Sequence, residues 1–125
     1  MRRIVMAMTL AAMPGMAVAQ QGDAAAGQRV YNQCRACHTV DQGGRNGVGP
    51  NLFGIVGRRA GSVEGFRYSA NLRELGAEDL TWTEDRLRAY VANPKAVVPR
   101  GSMSYAGLRN ETMINDLMAY LTSLR

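Results

Sequence analysis

Histidine and lysine each occur once in the 125 residues, as His38 and Lys95, and cysteine occurs twice, as Cys34 and Cys37. With so few soft ligands, a closed four-ligand zinc site within one chain would need a carboxylate or a second subunit. No run of basic residues interleaved with aromatics is present, which argues against nucleic acid as a partner. No stretch alternates well enough to predict a sheet, and internal repeats and low-complexity tracts are missing. Long apolar runs are missing too: the one beginning at Ile4 is broken by Thr9, Pro14 and Gly15, short of the roughly 20 residues a membrane span needs.

What that first stretch does resemble is an export leader. Arg2 and Arg3 precede the short apolar run, and "AVA" at 17–19 supplies a small-residue end, so residues 1–19 are expected to be removed on export to the periplasm. Residues 20–125 then form one domain with no membrane span and room for only a modest core. The net charge of +5 falls to +3 without the leader arginines, and Lys95 is the only basic residue left that is not arginine.

Helical spacing dominates the rest. Asp23 is a good N-cap for a helix over 24–37 that runs into the cysteines. A short helix is predicted from Ser69 to Leu75, stopping at Gly76, and a capping box at Thr81 and Glu84 opens another that ends before Asn93-Pro94. The last spans about Asn110 to Leu124, with Ile114, Leu117, Met118 and Leu121 on one face. Between them, 39–67 and 94–108 read as loops rich in Gly and Pro. An all-α domain this small with loops this long is expected to wrap something.

"CRACH" at 34–38 says what. Two cysteines three apart suit a disulfide, a zinc half-site, a redox pair or covalent haem attachment. A redox pair of the thioredoxin type opens a helix after a strand, whereas these cysteines close a helix with no strand before it. A structural disulfide leaves His38 without a role. Haem attachment uses all three: Cys34 and Cys37 add to the vinyl groups, and His38, one turn from Cys34, binds iron. With no second histidine, methionine is the natural ligand for the iron's other face. Of eight methionines five lie in the leader, while Met113 and Met118 fall on the last helix as core filling, so Met103 in its Pro/Gly loop is the candidate.

Over essentially all of residues 20–125 the chain resembles class I cytochrome c, close to bacterial short-chain and mitochondrial forms, through "GDAAAGQRVYNQCRACHTV", "GVGPNLFGIVGR", "GFRYSANL", "TW", "NPKAVVP" and "MSYAGL". The resemblance implies the cytochrome c fold, with N- and C-terminal helices crossing and long loops wrapping one covalent haem c. It implies His38 and Met103 as axial ligands and the Pro50 carbonyl as acceptor of the imidazole N–H. It further implies Arg58, Tyr68 and Trp82 as the group holding a buried propionate, and Tyr90 beside the methionine sulfur. Gly27 and Tyr31 would let the first helix cross the last against Leu117 and Tyr120, and Tyr105, where the family usually has phenylalanine, would cover the haem edge. Gly101 stands where a threonine is usual. Arg35, Arg45, Arg59 and Arg100 are offered in place of the family's docking lysines.

The function implied is a monomeric, non-enzymatic carrier of single electrons in the periplasm. Donors would be a quinol-oxidising complex or a dehydrogenase, and the acceptor a terminal oxidase. Two alternatives stay open: a haem subunit of a periplasmic dehydrogenase, or a peroxidase-like or gas-binding protein in which Met103 does not bind iron.

Overall fold

Asp23 opens the first helix where its side chain accepts from the backbone N–H of Ala25 and Ala26, and from there the computed structural model, which describes residues 22–125, is helical. The elements are α1 (Ala24–Tyr31), α2 (Ala70–Ala77), α3 (Glu84–Ala92), α4 (Pro94–Val97) and α5 (Glu111–Ser123). Among the described residues there is no strand, only a single antiparallel bridge between Arg59 and Thr81. The expected leader, 1–19, lies outside the described residues.

α1 and α5 cross at a contact that only glycine permits. A Cβ on Gly27 would sit 1.8 Å from the Asp116 carbonyl oxygen, and one on Gly22 would sit 1.9 Å from that of Asn115. The Asp116 carboxylate accepts from the Asp23 N–H at 2.8 Å, and the rings of Tyr31 and Tyr120 meet at 5.7 Å. Val30, Tyr31, Ile114, Leu117, Met118 and Leu121 are buried there, which bears out both the crossing and Met118 as core filling.

Several boundaries differ from the sequence reading, each for a local reason. α1 ends at Tyr31 rather than reaching Cys37. Beyond it the N–H groups of Asn32, Gln33 and Cys34 bond three residues back, to Arg29, Val30 and Tyr31, a tighter winding that turns the cysteines away from the helix axis. α2 has Ser69 as its cap and runs past Gly76, which is glycine because a Cβ would lie 2.1 Å from the Ala60 carbonyl, so it is a packing requirement and not a stop signal. α3 is capped by Thr83, whose hydroxyl accepts from Arg86 N–H at 3.2 Å. Thr81 is engaged instead in the bridge to Arg59. The turn α4 was not expected; Pro94 at its first position suits a helix start.

The long loop is pinned at intervals. Gly57 N–H donates to Trp82 at 2.8 Å, Trp82 N–H to Arg58 at 2.7 Å, and Gly54 N–H to Leu124 at 2.7 Å. These bonds bring the 50s beside the start of α3 and the end of α5, around the space the helices leave between them.

Candidate functional site

That space is a cavity of about 240 Å³ walled by Val30, Leu52, Ile55, Leu87, Val98 and Leu117 among others. Close-packed interiors leave few voids larger than a water molecule, and an apolar void of about 150 Å³ already admits an organic guest. All nine residues proposed from sequence line it: Cys34, Cys37, His38, Pro50, Arg58, Tyr68, Trp82, Tyr90 and Met103.

The tether is built by the tight turns after α1. Cys37 N–H and His38 N–H both donate to the Cys34 carbonyl, at 3.1 and 3.0 Å. Neither sulfur is in a disulfide among the described residues, Cys34 being half-buried and Cys37 exposed, so both are available as points of attachment. No three His, Cys, Asp or Glu side chains converge among the described residues, so the zinc reading finds no support.

His38 is fixed from three directions. Its Nδ1 stands 2.8 Å from the Pro50 carbonyl, which takes the ring proton. Its own carbonyl accepts from the Tyr31 hydroxyl at 2.7 Å. Gly49 lies flat against the ring, where a Cβ would come within 2.3 Å of Cε1. Burial lowers the His38 pKa, outweighing the opposite effect of the bond to Pro50. Burial thus favours the neutral imidazole, and with Nδ1 donating to Pro50 the Nε2 lone pair has no partner among the described residues, the form that binds a metal.

A second group consists of donors. Arg58 gives two N–H bonds to the carbonyls of Asn51 and Phe53, at 2.8 and 2.5 Å, which hold the guanidinium at the cavity wall. Burial lowers its pKa and the neighbouring Tyr68 opposes this, yet an arginine so placed stays charged. The Tyr68 oxygen accepts from Val63 N–H at 2.9 Å and keeps its own proton to donate. Trp82, ring to ring with Tyr90 at 4.7 Å, has an indole N–H without a partner among the described residues. A fork of N–H groups, a hydroxyl and an indole N–H on one wall suit a carboxylate removed from water. Thus the residues present fit a flat apolar group bearing a metal and acidic side arms.

Sequence reasoning missed two asparagines. Asn51 is buried and organises the loop: its amide donates to Thr39 Oγ1 at 2.8 Å and the Asp41 carbonyl at 2.9 Å, and its oxygen accepts from Phe53 N–H at 3.0 Å. Asn71, buried on α2, accepts from Arg100 N–H at 2.9 Å, three residues before Met103. A polar residue four before Leu75 on an inward helix face was the available signal. Gly101, the departure in this loop, sits where a Cβ would approach Val98 Cγ1 to 2.9 Å. Of the four arginines offered for docking, Arg59 pairs with Asp79 and Arg100 with Glu74, whereas Arg35 and Arg45 make no ion pair among the described residues.

Comparison with known proteins gives the family. The family model described as "Cytochrome c" matches residues 24–125. The chain is similar to cytochrome c2 of Blastochloris viridis, 43% identical over 122 residues, which is 97% of this chain and 92% of that one. It is similar to cytochrome c-550 of Ancylobacter novellus, 48% identical over 78% of this chain and 91% of that one. Among solved structures, cytochrome c2 from Rhodospirillum centenum superposes with a TM-score of 0.78 at 33% identity, covering 82% of this chain and 98% of that one.

Proposed function

The chain belongs to the cytochrome c family, and from that premise we propose that it carries single electrons through the periplasm with His38 and Met103 as the two axial ligands of its haem. As a family member it is an electron carrier rather than an enzyme, with one covalent haem c attached through Cys34 and Cys37. The observation that carries the ligand reading is the placing of His38: Nδ1 is committed to Pro50 at 2.8 Å, while Nε2 has no partner among the described residues, in the same cavity that Met103 lines.

When bound, the haem supplies a metal centre that takes up and releases one electron. The chain's own residues do the rest. Pro50 fixes the tautomer of His38 and raises its basicity. Arg58, Tyr68 and Trp82 would hold a propionate, so that a carboxylate could be buried beside a cation already held by two carbonyls. The apolar wall excludes water and so limits how much the surroundings must rearrange when charge changes. If His38 and Met103 both held the metal, the protein would leave it no open position for a substrate.

On this reading the chain acts as a monomer, taking electrons from a quinol-oxidising complex or a periplasmic dehydrogenase and passing them to a terminal oxidase. Contacts of that kind are small and wet, with charge steering the encounter. Arg35 and Arg45, with no ion pair among the described residues, are the better-placed arginines for it. The test is the absorption spectrum of the ferric protein. A low-spin spectrum with the sulfur-to-iron charge-transfer band is expected; a high-spin spectrum with instant cyanide binding would leave Met103 without its role.

A further inference from the structure

The six residues from Ser102 to Gly107 alternate in exposure: Ser102, Ser104 and Ala106 face solvent, while Met103, Tyr105 and Gly107 turn inward. A period of two marks an extended chain, so Met103 and Tyr105 point to the same side roughly 7 Å apart. This strap has no backbone hydrogen bonds to the rest of the described residues. Its ends are well held. On one side Gly101 N–H donates to Val98, Arg100 N–H donates to Asn71, and Lys95 donates to the Gly101 carbonyl; on the other Leu108 N–H donates to Val91. Between those anchors one bond remains, from the Tyr105 hydroxyl to Gln33 Oε1 at 2.9 Å.

Gln33 immediately precedes Cys34, and both Gln33 and Tyr105 line the cavity. The bond therefore joins the strap bearing Met103 to the turn bearing the cysteines, 72 positions away. We propose that this bond is a clasp holding the strap closed over the cavity, which makes Tyr105 and Gln33 positioning residues for Met103. The inference rests on the reading of Met103 as a ligand. A phenylalanine at 105 would fill the same volume but leave the strap without a hydrogen bond between its anchors.

The test uses the ferric holoprotein and imidazole, which must displace Met103 to bind. Tyr105→Phe and Gln33→Ala should each raise the apparent imidazole binding constant and the limiting rate of strap opening about three- to tenfold, the range of one partly exposed hydrogen bond. Because one bond is lost in either case, the double variant should go no further than the larger single effect. Imidazole binding in Tyr105→Phe equal to that of the parent, or single effects that add, overturns the clasp while the charge-transfer band keeps the ligand reading intact. A parent protein without that band overturns both.

Discussion

The Tyr31 hydroxyl donates to the main-chain carbonyl of His38 at 2.7 Å, seven residues on in the chain. Phenylalanine would pack equally well against Tyr120, so the hydroxyl's contribution is separable from the ring's. Tyr31→Phe should cost about 1 kcal/mol of stability, the usual net value of a partly buried bond. Guanidinium unfolding of the holoprotein with an unchanged slope measures it.

Gly27→Leu should cost about 3 kcal/mol or more, because even a Cβ meets the Asp116 carbonyl at 1.8 Å and α1 must move off α5. The fall in unfolding midpoint should exceed that of Gly43→Leu, a site with nothing within 4 Å of a Cβ, where only the left-handed backbone is penalised.

Met103→Ala should keep covalent haem but lower the reduction potential, since thioether ligation favours the ferrous state. Redox titration of purified holoprotein checks this, and an unchanged potential would count against Met103.

Asn71→Ala removes the acceptor for a partly buried N–H and should cost about 1–3 kcal/mol, while Asn71→Asp, which retains an acceptor, should lose less. Thermal unfolding of both variants separates the bond from the volume.

Burial raises the pKa of Tyr68 and of Tyr90. The unfolded chain releases those protons first, so their contribution to stability is full below about pH 10 and is lost as pH rises through the higher folded values. Phenolate absorbance should therefore show these rings titrating late and together with unfolding. Tyr68→Phe should weaken that alkaline loss.

The cofactor was legible because it depends on residue types in a short window: "CRACH" names a tether, and the methionine between prolines and glycines that it led to lines the same cavity. The helices followed from spacing and caps, and all nine proposed residues meet at one cavity. What escaped is set by remote neighbours. Gly76 looked like a terminator until Ala60 was seen against it, Thr81 looked like a cap until it paired with Arg59, and Asn71 had no place in the site until its oxygen was found to accept from Arg100 N–H. Each is a contact between segments whose separation in the chain carries no local signature.

Outward along the strap stand a serine, a serine and an alanine, none longer than a hydroxymethyl group. Electron tunnelling weakens steeply with every ångström between donor and acceptor. A protein docking over this stretch would meet no long side chain that it first had to push aside, and the brevity of those three residues would then set how narrow the gap became.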